Sequence, residues 1–365
     1  MRRPSVSFFP KPLPVLAGLL LAAGCQTGTG HLVSREEAGW LRAPAREETA
    51  LFETLARRPE AWENWREALA TSRSFLVSSA ARRRYPVAGV RRAEVLEALD
   101  ILEEALGRAT PGERAALLEA GLDLWELPGE GLFTAYYAPE FDGSLVPGGP
   151  YRWPLYRRPP GWRGRGPTRR EIEEGRLLIG HEIVWLRDPF DAFVIHVNGS
   201  ARIRLPDGGH RNLGHDGTNE RPYTSLGRLM LERGLLRGGA SLQAMRAWAE
   251  AHPREFQELL LENDRFVYFT FVDDADWPRG AVGRLTPRRS AAADISLYPP
   301  GAPLVLELDD GRTPLVFHHD VGGAILGPGR ADWYLGVGEA AGEEAGRFYR
   351  RGRMLLLLPG GVPRP

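Results

Sequence analysis

The segment with the most chemical promise is His318-His319-Asp320-Val321-Gly322-Gly323-Ala324-Ile325, where an apolar run, Leu315-Val316-Phe317, delivers an aspartate into a Gly-Gly turn. A carboxyl at a strand end among apolar neighbours loses hydration, which raises its pKa and makes it a useful general acid. The two glycines would let backbone or substrate approach closely. The same pattern also describes a turn aspartate that satisfies local N–H groups, and the segment alone leaves both readings open. A second stretch, Thr134-Ala135-Tyr136-Tyr137-Ala138-Pro139-Glu140-Phe141-Asp142-Gly143, holds adjacent tyrosines. Such rings stack on sugar faces and bond sugar hydroxyls, or lie half-buried on an edge strand. Glu140 and Asp142 are candidate second carboxylates for a two-carboxylate glycosidase, or solvated turn acids. Two further stretches, Val197-Asn198-Gly199-Ser200-Ala201-Arg202 and Gly214 to Ser225, are dense in neutral hydrogen-bonding side chains. Thr224 or Ser225 also suits the N-cap of a following helix.

Other chemistries lack their signatures. The eight histidines form no HExxH or Cys/His cluster, so no metal is expected. There is no GxSxG, GxGxxG or P-loop, and no cofactor is expected. Formal net charge is zero and no basic block suggests nucleic acid.

Elements to position these residues can be read from periodicity. Residues 47–121 are helical: Trp62, Trp65 and Leu69 share a face, as do Val95, Leu99, Leu102 and Leu106. Thr110-Pro111-Gly112-Glu113 supplies an N-cap, a proline at the first helical position and an acid in the first turn. From 131 the texture turns to short strands at 132–137, 152–157, 177–186, 190–197 and 201–205. Helices return at 224–234 and after Ser241, and strands again at 266–272, 303–308, 315–319, 331–334 and 353–358, with a short helix at 339–350. This order predicts an α+β protein.

The N-terminus reads as an address. Arg2, Arg3 and Lys11, the single lysine, precede a short apolar stretch ending Leu21-Ala22-Ala23-Gly24-Cys25. The stretch is too short for a permanent span and reads as a signal peptide over 1–25, with the lone Cys25 as a lipoprotein acylation site. Acyl chains on Cys25 would anchor the chain to a membrane through a tether at 26–46. Gln26, in place of an aspartate, points to the outer membrane, facing the periplasm. The mature chain would carry 44 basic against 47 acidic residues, since residues 1–25 hold three bases and no acid.

From about 130 to 358 the chain resembles the MltA family of lytic murein transglycosylases. The resemblance rests on Phe133-Thr134-Ala135-Tyr136-Tyr137-Ala138-Pro139-Glu140-Phe141-Asp142-Gly143-Ser144 and Tyr151-Arg152-Trp153-Pro154-Leu155-Tyr156. It continues through Arg170-Glu171-Ile172-Glu173, Trp185-Leu186, Asp188-Pro189, Asp191-Ala192-Phe193, Asn198-Gly199-Ser200, Gly217-Thr218-Asn219 and Arg221-Pro222-Tyr223-Thr224-Ser225. It ends with Leu285-Thr286-Pro287, Arg289-Ser290, Ala293-Asp294, Asp320 to Ile325, Gly327, Arg330-Ala331-Asp332 and Gly336.

The resemblance implies two domains about a groove. A double-psi β-barrel main domain with N-terminal helices would span 47–139 and 226–365, and an inserted small β-barrel domain 140–225. It implies cleavage of the β-1,4 bond between N-acetylmuramic acid and N-acetylglucosamine, with 1,6-anhydromuramoyl ends and Asp320 as catalytic acid/base. Asp332 and Asp294 would support it. Thr134, Tyr136, Tyr137, Asn198, Gly199, Ser200, Thr224, Gly322 and Gly323 are expected to bind glycan. Expected partners are peptidoglycan glycan strands, the membrane through Cys25, and cell-wall synthesis or division proteins. Asn198 stands where the family usually has Gln, Ala201 and Glu220 where Gly is common, and His215-Asp216 where it has Tyr-Ala or Tyr-Lys. Two rivals remain: a non-catalytic peptidoglycan-binding lipoprotein, and an aspartic peptidase, which would need a second carboxyl loop.

Overall fold

The structure is a computed structural model that describes residues 34–58 and 63–360. The signal peptide, Cys25, the start of the tether and Trp62 lie outside the described residues.

The chain divides into two compact units, one comprising Phe141–Gly199 and Ile203–Thr270 and the other the remaining described residues. The insertion expected over 140–225 is shorter than the smaller compact unit, which runs on to Thr270. The reason is visible in its core: Phe190 and Phe193 pack with Met230, Met245 and Phe256, so the helices after 225 complete that unit's hydrophobic centre.

In the larger unit, six strands pair into a closed ring: Gly131–Ala138, Arg330–Val337, Ser290–Ala293, Leu315–Asp320, Pro303–Leu308 and Tyr349–Pro359, the last pairing back to the first. Two of these pairings, 290–293 with 315–320 and 330–337 with 131–138, are parallel. The strand Leu122–Glu126 extends the sheet beyond the ring by pairing with Tyr349–Pro359. That strand changes partners at Gly352, whose φ is +152° and where a Cβ would stand 1.8 Å from the Glu307 carbonyl oxygen, so only glycine fits. Its later residues, Met354 to Leu358, are all buried, which is why the run Met-Leu-Leu-Leu-Leu shows no alternation.

Helices Ala45–Arg57, Trp65–Val77, Arg92–Leu106 and Pro111–Gly121 share one core with the ring. Val95, Leu99, Leu102 and Leu106 are buried along one face, as their spacing predicted. Thr110 and Glu113 form the reciprocal cap expected of Thr-x-x-Glu.

A six-stranded sheet, most of whose residues belong to the smaller unit, runs in the order Trp153–Tyr156, Glu182–Leu186, Glu140–Ser144, Ala201–Arg204, His210–Thr218 and Val267–Val272. One expected strand is a helix. Residues 190–197 read as a strand because they are aromatic and β-branched, but they form the helix Pro189–Asn198. Asp188 accepts from the Phe190 and Asp191 N–H groups and Pro189 occupies the first position, so the start signal outweighs intrinsic strand preference. Gly199, at φ +73°, closes the helix.

Candidate active site

Asp320 ends its strand at a β-bulge. Ser290 pairs with Phe317 and Ala291 with His318, but Ala292 pairs with Asp320, so one extra residue shifts the register. An unbroken ladder would set His319 beside Ala292. Bulges of this kind re-aim a side chain at a strand end. The shift puts Asp320 in a lateral row with Ala292, Asp332, Thr134 and Tyr349 across successive strands.

Three donors hold the Asp320 carboxyl. The Tyr136 hydroxyl donates to Oδ2 at 2.8 Å, and the N–H groups of Val321 and Ala281 donate to Oδ1 at 2.9 and 3.2 Å. Burial pushes the acid up to about 6, with Asp332 adding to the rise and the three hydrogen bonds opposing it. Desolvation outweighs them because each bond stabilises the anion only locally, whereas hydration is lost over the whole group. Tyr136 is pushed well above its usual value by burial and by Asp320, so it stays a phenol and can only donate to the carboxylate. Its ring leans on Tyr334, with centroids 5.2 Å apart.

The Ala281 contact comes from a turn the sequence reading passed over. In Trp277-Pro278-Arg279-Gly280-Ala281-Val282-Gly283, the Val282 N–H donates to the His319 carbonyl at 2.9 Å, docking the turn on the bulged strand. A Cβ at Gly280 would lie 2.7 Å from that carbonyl oxygen and 2.9 Å from Asp320 Cγ. The signal available was a Gly-x-x-Gly spacing just before Leu285-Thr286-Pro287.

Asp332 is buried, and Thr134 donates its hydroxyl to it at 2.5 Å. Arg330 in turn donates to the Thr134 oxygen at 2.8 Å. Burial raises the Asp332 pKa, and Thr134 and Arg330 oppose the rise. Thr134 is itself buried and spends its hydroxyl on this chain. Asp294 accepts from the Gly327 N–H at 2.8 Å and from both the N–H and hydroxyl of Ser296. It thereby pins the loop that carries Gly322 and Gly323, and these bonds hold its pKa below the ordinary value against the opposing effect of burial. Of the two tyrosines only Tyr136 meets Asp320; the Tyr137 ring packs against Gly342 of the helix Gly338–Arg347.

Ser200 belongs to the same unit as Asp320, whereas Asn198, Gly199 and Thr224 belong to the smaller one. Asn198 is the last residue of its helix and half-buried. Thr224 donates its N–H to Asn263, and Ser225 is the N-cap. Asn219, within the Gly-Thr-Asn motif, is a buried latch that donates to the Pro167 and Asp264 carbonyls and accepts from the Phe266 N–H. Asp142 is tied up with Arg204 and Arg187. Among the described residues no group of three or more His, Cys, Asp and Glu is arranged to hold a metal ion.

Comparison with known proteins sets this geometry in context. Residues 132–270 match the MltA specific insert domain and residues 289–358 match the 3D domain. The membrane-bound lytic murein transglycosylase A of Escherichia coli K12 is 33% identical over 264 residues, covering 67% of this chain and 72% of that protein. The solved structure of E. coli MltA with bound chitohexaose superposes with a TM-score of 0.65 at 30% identity, covering 83% of this chain and 90% of that one. A membrane-bound lytic murein transglycosylase from Agrobacterium tumefaciens gives a TM-score of 0.66 at 28% identity, covering 84% and 96%.

Proposed function

The chain belongs to the MltA family, and from that premise we propose that it is a lytic murein transglycosylase with Asp320 as its single acid/base. It would cleave the β-1,4 bond between N-acetylmuramic acid and N-acetylglucosamine and leave 1,6-anhydromuramoyl ends. The observation that carries the reading is the Asp320 carboxyl itself: half-buried on a bulged strand end, held by Tyr136, Ala281 and Val321, and poised at about 6. An acid at that value is substantially protonated in mildly acidic medium, as proton donation to a leaving glycosidic oxygen requires.

The second half of the reaction needs a nucleophile, and the substrate supplies it. Once Asp320 has given its proton to the glycosidic oxygen, its carboxylate takes the proton of the muramic acid C6 hydroxyl as that oxygen attacks C1. The attack is intramolecular, an arrangement worth roughly 7–11 kcal/mol when well oriented. That gain replaces the second carboxylate of an ordinary glycosidase. Asp332 fits a supporting part, since its carboxyl is buried and committed to Thr134. Beside the acid, glycan contacts are assigned to Tyr136 and the Gly322-Gly323 turn, with Thr134 acting through Asp332.

The closed six-strand ring is read as the double-psi barrel of the family, and the smaller unit as its inserted barrel domain. No helix among the described residues is long and apolar enough to cross a membrane. Lipid anchoring is read from the acylation site ending at Cys25, and the outer membrane facing the periplasm from Gln26 after it.

Product mass decides between lyase and hydrolase. Mass spectrometry of material released from purified sacculi should show anhydromuropeptides about 18 mass units, one water, lighter than hydrolytic products. Reducing ends would make the protein a hydrolase, and binding to sacculi without soluble products would make it a non-catalytic wall protein.

A further inference from the structure

His319 is the residue the bulge displaces from the Ala292 row, and the reaction scheme gives it no part. It is fully buried and polar, and both ring nitrogens are used: Nδ1 lies 2.8 Å from Ser290 Oγ and Nε2 lies 2.9 Å from Ser72 Oγ. The Thr286 N–H donates to Ser290 Oγ at 2.8 Å, which leaves that hydroxyl's own hydrogen available to Nδ1. In the tautomer that uses it, Nε2 carries the ring proton and donates to Ser72 on the helix Trp65–Val77. The imidazole is neutral in this scheme, with its value pushed down to about 3 by burial. It stacks on Phe317, centroids 5.7 Å apart and planes 18° from parallel.

The backbone of the same residue docks the Gly280–Gly283 turn. Its carbonyl accepts the Val282 N–H, and the neighbouring Ala281 N–H reaches Asp320. Side chain and carbonyl therefore work in series: the ring is fastened to one helix and one strand, and the peptide it fixes seats the turn that reaches the acid. A leucine would fill the volume but leave Ser72 and Ser290 without their shared partner in a buried place, where unmet hydrogen-bonding groups are costly.

We propose that His319 is a positioning residue, whose side chain bridged between Ser290 and Ser72 sets the bulged strand end so that Ala281 N–H is delivered to the Asp320 carboxyl. The proposal rests on the reading of Asp320 as the acid. Besides Ala281 and Val321, the groups facing that carboxyl are Tyr136 and Asp332, from the two neighbouring ring strands, and neither changes in the variants below.

The test compares His319→Leu, His319→Gln and Ser72→Ala with the unaltered full chain, measuring kcat, KM and the pH profile on purified glycan strands. Gln offers an amide NH₂ to donate and a carbonyl to accept, one toward each serine, and should retain most of the activity. In His319→Leu, kcat should fall by about ten-fold or more, since small misplacements of catalytic groups are expensive, while KM stays within about two-fold. The alkaline limb should move to higher pH, because a carboxylate that loses an N–H donor is harder to ionise. Ser72→Ala, which severs only one end of the bridge, should change both quantities in the same sense by less, and it serves if the leucine variant does not fold. Ring nitrogen chemical shifts should report an Nε2–H tautomer. A leucine variant that is merely less stable, with kcat and alkaline limb unchanged, would overturn the proposal; so would Ser72→Ala with both unchanged. Asp320→Asn run alongside separates the two levels: if it stays active, the reading of Asp320 has failed, whatever His319 does.

Discussion

Asp320 is held against its own preference for water, and that has a stability consequence as well as a catalytic one. Its folded value of about 6 lies above the ordinary 3.8, so the folded state holds the proton more tightly than the unfolded chain. The native state therefore loses relative stability as pH rises through the interval from 3.8 to 6, and bears the full penalty above it. Asp320→Asn should consequently be more stable than the parent at pH 8 by about 3 kcal/mol, with the difference falling below about 1 kcal/mol near pH 4, as urea midpoints at the two pH values would show. Tyr136→Phe removes one donor from the carboxylate and should raise the alkaline limb of the rate profile by about one pH unit; an unmoved limb would detach Tyr136 from the acid. At this scale the sequence was partly legible. Asp320 and Tyr136 stood out by type and neighbourhood, yet acid and turn aspartate have the same local pattern. Ala281 was invisible, because its contribution is a backbone N–H from a turn 39 residues away.

Elements position these groups through short irregularities. The bulge at His318-His319 aims the acid, and the Gly280–Gly283 turn caps it, a pairing that depends on the absence of a side chain at 280. Gly280→Ala should force the turn off the strand, costing about 1–3 kcal/mol of stability and lowering kcat more than it raises KM; steady-state kinetics and a melting curve would check both. Glu220 tests the opposite case. It sits at φ +54°, a left-handed conformation that side chains resist, at a position where the family has glycine. Glu220→Gly should stabilise the smaller unit by up to about 1 kcal/mol, the relief of strain being partly offset by glycine's extra freedom when unfolded. Element boundaries were legible where a local start signal exists, as at Thr110 and Ser241. The stretch 190–197 misled because its composition favours a strand, while two residues outside it, Asp188 and Pro189, settle the outcome.

At the scale of the molecule, the ring is closed by pairings between strands about 200 residues apart in sequence, such as Asp332 with Thr134. No local pattern announces such contacts; only the ordered resemblance along the chain pointed to them. The same closure buries His318 and His319, whose values are pushed down to about 4 and about 3 by desolvation. Here the unfolded chain takes up protons first, so stability is lost as pH falls below about 6.5. By pH 5 the two histidines should cost about 4 kcal/mol between them, against about 1 kcal/mol regained from Asp320. Acid should therefore weaken the fold in the range where the acid catalyst is best protonated, and denaturant midpoints measured from pH 7 to pH 5 should fall. The central claim remains that one carboxyl suffices. Its most direct test is the rate of anhydromuropeptide release from purified sacculi by Asp320→Asn, with folding verified by its melting curve. The account predicts a folded protein whose rate is lower by about two to four orders of magnitude, and a folded variant that releases these products at the parental rate would contradict it.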